Sequence, residues 1–389
     1  MNKIGVAGSG RWARVLISIL NSILPEEDKI IIFSTRGSKI ISNWVTSSNL
    51  ENRIASVDKY KNIKISNLSA LIVANAAKDH FMIAKLGMMS YIPVIVEKPL
   101  TTAYETSLQL IDLSNKNNVP LASSQIFLFA EYLNNFKKLI ESNKNISNIN
   151  FTWEDASEET RYGEIKTYDS SLPLHKDCLP HVLSILSFLI GSKIFLDDIE
   201  FGKEASSLKV KMHSKDVEFN INLKRNAKVR KRFIHVKGTK SLQLDFTNEP
   251  GEITCDENSF LADENWKSRK SPATLMLMSF LKSISVNGIL DKRLVPNLDT
   301  LKLINKASLV YENKRNSFLK DILISSEVDM NSIEYLLKEI LLEKSLIDSD
   351  SLMPSINKIK NIILLKEKDI RFSDLINKDI ESFVRIHIL

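Results

Sequence analysis

Gly8-Ser9-Gly10-Arg11-Trp12-Ala13 follows a short apolar run, Ile4-Gly5-Val6-Ala7, and opens a stretch, Arg11 to Leu24, whose apolar residues recur at helical spacing. The pattern G-x-G-x-x-A between a strand and a helix is the arrangement in which a glycine-rich turn receives a dinucleotide pyrophosphate. Gly8 permits the tight turn, Gly10 lets a phosphate come against the backbone, and Ala13 lets the helix pack close to the sheet. The helix start, with Ser9, Arg11 and Trp12 around it, then offers unpaired backbone N–H groups to the anion.

Working outward, strand-like runs at Lys29–Phe33, Ala70–Ala74, Val94–Val96 and Pro120–Ser123 alternate with helical stretches at His80–Leu86 and Ala103–Ser114. Strands separated by helices of this length imply a parallel sheet covered on both faces. Residues 1–125 are therefore expected to form a Rossmann dinucleotide-binding domain. The second strand ends in Phe33-Ser34-Thr35-Arg36, without the acidic residue that holds a ribose 2′-hydroxyl. Ser34, Thr35 and Arg36 suit a 2′-phosphate instead, with Arg36 as a planar clamp, so NADP(H) is expected over NAD(H).

The pattern changes beyond residue 125. Leu208–Met212, Val217–Leu223 and Leu242–Phe246 alternate with period two, which predicts an open, largely antiparallel sheet. Helices at Asp177–Ile190, Ala273–Val286 and Leu298–Tyr311 are expected to cover its buried face. Residues 126–318 thus read as an α+β substrate and oligomerisation domain. The basic run Lys224–Arg232 lies between two alternating segments; it reads first as a solvated hairpin and second as a patch for an anionic ligand. Residues 319–389 form a small helical tail. One stripe there, Ile333, Leu336, Leu337, Ile340 and Leu341, opens with Asn331 and Glu334 in capping-box spacing.

Composition narrows the functional classes. The chain has 389 residues, of which 43% are apolar, enough for two sizeable cores plus an appendage. Its 53 basic residues against 47 acidic ones are dispersed, so nucleic acid is not expected as a partner. No apolar run reaches membrane-spanning length, and no leader precedes the first strand, so a cytoplasmic protein is expected. Cys178 and Cys255 are the only cysteines, and the histidines lack metal-ligand spacing, so no disulfide scaffold and no metal site are expected.

Further motifs carry a resemblance. Glu97-Lys98-Pro99-Leu100 ends a strand; upstream stand Ala74-Asn75-Ala76, His80, Ala84 and Gly87. Downstream stand Asp177 and His181, then Leu183, Leu186, Leu189 and Gly191. In order and spacing these resemble the E-K-P and D-x-x-x-H signatures of the glucose-fructose oxidoreductase, inositol dehydrogenase and rhizopine catabolism (Gfo/Idh/MocA) family, over roughly residues 1–315. The resemblance implies an NAD(P)-dependent oxidoreductase acting on a secondary carbinol of a sugar, cyclitol or nucleotide-sugar. It implies that Ala74, Asn75, His80, Glu97 and Lys98 border the cofactor and that the open sheet serves a homo-oligomer. It also places Lys98 near the reacting oxygen, gives Glu97 a part in orienting that loop, and makes Pro99 a candidate cis proline. Leu172–Lys176 replaces the family's glycine-rich stretch, so no particular substrate transfers.

The residue chemistry agrees with that implication. An ammonium at Lys98 stabilises developing negative charge, and His181 exchanges a proton near neutral pH. Asp177 lies four residues before His181 on the same helical face, where it can hold the imidazole or bind a substrate hydroxyl. Two plainer readings stand beside these: Asp177 as the helix N-cap with Pro180 in the first turn, and His181 as a core histidine. His175 and Lys176, just before the helix, read equally as a place for an anionic substrate group and as chance loop charges. In the tail, Asp348-Ser349-Asp350-Ser351-Leu352 contains the D-S-L at which carrier domains attach phosphopantetheine. Ser351 is thereby a candidate attachment point, and imine reduction on a carrier-bound intermediate is an alternative activity. A cofactor-binding sensor or scaffold without turnover is a second alternative.

Overall fold

The structure is a computed structural model that describes residues 2–35, 37–65, 67–161, 163–166, 168–286 and 289–389. The N-terminal unit alternates β1 (Lys3–Ala7), α1 (Arg11–Ile23), β2 (Lys29–Phe33), α2 (Ser38–Ser47), β3 (Ile54–Asp58), β4 (Ala70–Val73), α3 (His80–Met89), β5 (Val94–Val96), α4 (Tyr104–Asn117) and β6 (Leu121–Ser123). The strands pair in parallel in the order β3-β2-β1-β4-β5-β6. The apolar runs of β1, β2, β4 and β5 are buried on both faces, as a helix-covered parallel sheet requires. The sequence reading missed α2 and β3 because α2 buries only Ile41 and Val45, and β3 is a half-exposed edge without an apolar run.

The chain then enters α5 (Glu131–Ser142), β7 (Asn148–Ala156), the short pair β8 (Thr160–Arg161) and β9 (Glu164–Ile165), and α6 (Leu174–Ile190). Strands β10 (Phe195–Phe201), β11 (Ser207–Ser214), β12 (Val217–Ala227), β13 (Lys231–Lys237), β14 (Ser241–Asp245), β15 (Glu252–Cys255) and β16 (Asn258–Leu261) follow. Among the described residues, β7 and these seven build one sheet in the order β10-β11-β12-β7-β13-β14-β15-β16. All its pairings are antiparallel except β12 with β7. Helices α5 and α6 bury one face, through Phe136, Ile140, Leu179 and Leu186 against Phe151, Ile221 and Ile234. The other face presents Lys209, Lys211, Glu218 and Asn222 to solvent.

Helix α7 (Pro272–Val286) departs from expectation. Its Met276, Leu277 and Phe280 pack in the Rossmann core with Leu16 and Leu20 of α1, so it covers the first sheet rather than the second. The chain crosses back between the layers after β16. Helix α8 (Leu298–Ile324) then returns to the second core through Ala307 and Tyr311.

The expected boundary at residues 318 and 319 falls inside α8, which runs unbroken into the tail. There α9 (Met330–Glu343), α10 (Ser349–Leu365), α11 (Ile370–Asn377) and α12 (Ile380–His387) share a core of Leu337, Ile340, Ile359, Ile363 and Phe383 with Leu319 and Leu323 of α8. Helix α9 is capped by Asp329, whose carboxylate accepts from the N–H groups of Asn331 and Ser332, not by Asn331. Among the described residues, no helix is long and apolar enough to cross a membrane.

Candidate active site

The carboxyl ends of β1, β4 and β5 face one end of the second sheet across a cavity of about 370 Å³. On the Rossmann side, Gly8 has φ of +139°, and a Cβ there would stand 2.6 Å from the carbonyl oxygen of Ala74. Only glycine fits that turn. A Cβ on Gly10 would meet nothing within 4 Å, so the backbone at the start of α1 is open to a ligand. Gly10 caps α1 without a side-chain bond, which leaves its first N–H groups for an anion. These features fit a dinucleotide diphosphate. Ser34 Oγ lies 3.1 Å from Ser9 Oγ and accepts from the N–H of Gly37, joining the end of β2 to the glycine turn. Thr35 is exposed beside it. Arg36 lies outside the described residues.

Arg11, Trp12, Ala74, Asn75, His80, Glu97, Lys98, Asp177 and His181 all border the cavity. Gly8, Ser9 and Gly10 precede Arg11 in the chain, and Ser34 is tied to that turn through Ser9; these residues and Thr35 are not among those that line the cavity. His80 is buried, with Nδ1 2.8 Å from the Pro99 carbonyl and Nε2 3.1 Å from that of Asn75. It thus bridges the loop after β4 to the turn after β5. The Lys98–Pro99 peptide is cis, and Glu97 accepts a hydrogen bond of 2.7 Å from Ser124 Oγ.

Lys98 Nζ donates to Asp177 Oδ1 at 2.5 Å and to the Asp177 carbonyl at 3.1 Å. Asp177 Oδ2 accepts from Arg225 at 2.8 Å. Burial alone would lift the Asp177 pKa, but the two cations outweigh it and hold the carboxyl well below its ordinary range. Burial would likewise discharge Lys98; the Asp177 charge prevails and raises its pKa. Asp177 therefore spends its oxygens on Lys98 and Arg225, not on the imidazole. It is not the N-cap either: Pro173 holds that place, and Pro180 lies inside the helix.

His181 stacks on Trp153 at 5.2 Å and 19°, with Phe127 edge-on at 5.2 Å. Its Nδ1 is buried without a partner. Burial, then the charge on Lys98, push its pKa well below the usual histidine value, so it is neutral near pH 7.

The basic run behaves differently from its reading as a solvated hairpin. Strand β7 lies between β12 and β13, so these two do not pair with each other. Arg225 continues the covered stripe Phe219, Ile221, Leu223 of β12; Arg232 continues Ile234 and Val236 of β13; Asp155 continues Phe151 and Trp153 of β7. Both arginines are buried, at 1% and 3% exposure, and line the cavity. Arg232 donates to Asp155 at 2.6 Å and lies 3.7 Å over the Trp153 ring. Lys166 Nζ reaches the same carboxylate at 2.5 Å. Arg225, Arg232, Asp155 and Lys166 are site residues that the motif reading did not find. For Asp155, Arg225 and Arg232 the period-two parity of β7, β12 and β13 was the available signal; Lys166, in the loop after β9, carried none.

His175 does not meet a substrate. It is buried, bonded through Nε2 to Ser308 Oγ at 2.9 Å and packed on Tyr311 at 4.2 Å. Lys176 pairs with Glu343 of α9 at 2.9 Å. A second cavity, about 180 Å³, reaches Lys98 from behind, between Thr101 and Ser107 on one side and Thr300, Ile304 and Ser308 of α8 on the other. Among the described residues, no group of three His, Cys, Asp or Glu side chains is placed to hold a metal ion.

Residues 2–124 match the model of an oxidoreductase family with an NAD-binding Rossmann fold, GFO_IDH_MocA. Over these residues the chain is similar to the Gfo/Idh/MocA family. None of the curated proteins matches the chain. Among solved structures, UDP-N-acetylglucosamine 3-dehydrogenase from Acidithiobacillus ferrooxidans is similar at TM-score 0.62 and 14% identity, over 80% of this chain and 97% of that one. A 3-ketoreductase from Actinomadura kijaniata, solved with TDP-benzene and NADP, matches at TM-score 0.65 and 13% identity, over 80% and 96%. A Gfo/Idh/MocA family oxidoreductase from Vibrio cholerae matches at 0.62 and 16%, over 82% and 100%. At such identities the likeness is one of fold. Each match leaves about a fifth of this chain uncovered.

Proposed function

We propose that the protein is an NAD(P)-dependent dehydrogenase or reductase acting on a secondary carbinol of a sugar-like substrate, most specifically a nucleotide-sugar. The observation that carries this reading is convergence. Lys98, Asp177 and His181, far apart in sequence, border one cavity beside the glycine turn. The backbone of Gly8 and Gly10 and the start of α1 would hold the dinucleotide, which when bound supplies hydride exchange. Lys98, kept charged by Asp177, stabilises negative charge on the substrate oxygen. Neutral His181 accepts the hydroxyl proton through a ring nitrogen, with Trp153 and Phe127 fixing the ring plane.

Two finer points belong to the same proposal. NADP(H) is preferred, because Ser34, Thr35 and Arg36 offer no carboxylate to a 2′-hydroxyl. The substrate bears an anionic group, because among the described residues the cations lining the cavity, Arg11, Lys98, Lys166, Arg225, Arg230 and Arg232, outnumber its carboxylates, Glu97, Asp155, Asp169 and Asp177. Screening sugars and nucleotide-sugars with each cofactor, following reduced nicotinamide by absorbance, tests the proposal. Turnover of a nucleotide-sugar with a lower Michaelis constant for NADP(H) supports it. NADPH binding without turnover of any substrate would favour a sensor or scaffold. Homo-oligomer formation is also proposed, and sedimentation checks it; the sheet face available for it is polar.

Imine reduction on a carrier-bound intermediate remains the second reading. Ser351 is exposed in the first turn of α10, its N–H held by Asp348 at 2.8 Å. Mass spectrometry after treatment with a phosphopantetheinyl transferase decides it: unchanged mass at Ser351 removes the carrier.

A further inference from the structure

The tail is tied to the second unit by polar groups that a loosely tethered appendage would not bury. Glu339 of α9 is 2% exposed and accepts from Arg315 at 2.8 Å and from the Tyr311 hydroxyl at 2.8 Å. Glu343 pairs with Arg315 at 2.9 Å and with Lys176 of α6 at 2.9 Å. Ser332 Oγ accepts from the N–H of Ala205 in the turn between β10 and β11 at 2.9 Å. Buried polar groups of this kind hold only while every partner is in place.

One further tie reaches the site. Arg225 NH1 donates to the hydroxyl of Tyr335, on α9, at 3.4 Å. The other end of the same guanidinium is bonded to Asp177, and its plane lies 4.6 Å over the Tyr168 ring. Its Nε is buried without a partner, so among the described residues the guanidinium's side-chain acceptors are Asp177 and Tyr335. Tyr335, Arg225, Asp177 and Lys98 thus form one chain of contacts from the tail to the E-K-P turn.

We infer that Tyr335 is a positioning residue contributed by the tail: it holds Arg225, and through Arg225 it fixes Asp177 against Lys98. The solved relatives leave uncovered a share of this chain about the size of that tail. The tail thereby backs the site through Arg225; none of its described residues lines the cavity. The tie itself is read from contacts alone; its bearing on turnover rests on the reading proposed for Lys98 and Asp177.

The experiment uses the full chain and Tyr335→Phe, which keeps the ring and removes the hydroxyl. Each protein is exposed to phenylglyoxal, digested, and the modified arginines are quantified by mass spectrometry. Arg232 is the internal standard, because it is equally buried but held by Asp155, away from the tail. In the parent protein both arginines are protected. In Tyr335→Phe, loss of one buried hydrogen bond should raise labelling of Arg225 about tenfold, with Arg232 unchanged. Equal labelling of Arg225 in the two proteins overturns the inference, and so does a parallel rise at both arginines, which marks general loosening. A kinetic arm follows once a substrate is known: turnover should fall about tenfold while NADPH affinity holds. A selective rise at Arg225 with unchanged turnover leaves the tie standing and counts against the proposed role of Lys98 and Asp177.

Discussion

The two walls of the cavity are built by different means. The Rossmann wall works through backbone: the Gly8 turn, the open flank of Gly10, the N–H groups of α1 and the carbonyls of Asn75 and Pro99 that His80 bridges. The facing wall works through side chains: Arg225, Asp155 and Arg232 on three adjacent strands, with Asp177 and His181 from α6. A backbone wall needs particular small residues at fixed spacing and so leaves a local motif. A side-chain wall needs only the correct parity on strands that meet in space, and its residues are dispersed along the chain.

That contrast can be broken experimentally. The largest expected effect is at Lys98, where the walls meet. Lys98→Met removes a preorganised charge and should lower turnover about a hundred- to a thousand-fold, with NADPH affinity unchanged. Turnover within about threefold of the parent would mean that the charge does no chemistry. The backbone wall is probed by Gly8→Ala, which places a Cβ 2.6 Å from the Ala74 carbonyl at a φ of +139°. NADPH affinity should drop about tenfold or more, since strain of this kind costs about 1–3 kcal/mol; an unchanged dissociation constant by fluorescence titration refutes it.

The side-chain wall gives the opposite signature. Arg232→Met leaves Trp153 without its cation and Asp155 with Lys166 alone. The Michaelis constant for an anionic substrate should rise about tenfold, as a charge-assisted hydrogen bond of about 1.5–3 kcal/mol is lost. Cofactor affinity should stay constant. If cofactor affinity falls instead, the two walls are not separate devices.

The smallest effect is in stability against pH. Burial, then neighbouring cations, depress the pKa of His175 and of His181 below the ordinary histidine value. The unfolded chain therefore binds protons at these sites before the native protein does. Stability is complete above about pH 6.5 and falls as pH drops below it. Asp155 and Asp177 are depressed carboxylates whose contribution is lost only at lower pH, so they do not obscure this window. The denaturant midpoint should be lower at pH 5.5 than at 7.5, and His175→Gln should lessen the difference. Equal parent midpoints would show that these histidines are charged in the native state.

What the sequence disclosed follows the same division. The glycine turn, the E-K-P turn and the D-x-x-x-H helix were legible, because each lies on one continuous segment. Arg225 and Arg232 were read as solvated because nine consecutive residues rich in lysine and arginine resemble an exposed turn. Their burial follows from β7 entering between β12 and β13, a long-range pairing that no local window contains. Parity alone would have placed them: Arg225 is two residues beyond Leu223, and Arg232 two before Ile234, each on the covered side. Helix α7 was assigned to the wrong layer for a related reason, since an apolar stripe specifies that a face is covered but not by which sheet.

Helix α8 deserves a mechanical description. Its 27 residues make a single rod about 40 Å long, at 1.5 Å per residue. Near one end, Thr300, Ile304 and Ser308 form part of the cavity behind Lys98; at the other, Leu319 and Leu323 are embedded in the tail. Lys306 and Lys314 rivet the span to β10, through the Leu196 carbonyl and Asp198. The same unbroken helix is thus packed at one end beside the lysine and at the other in the tail. The four terminal helices and the pocket behind the lysine therefore share one continuous structural member.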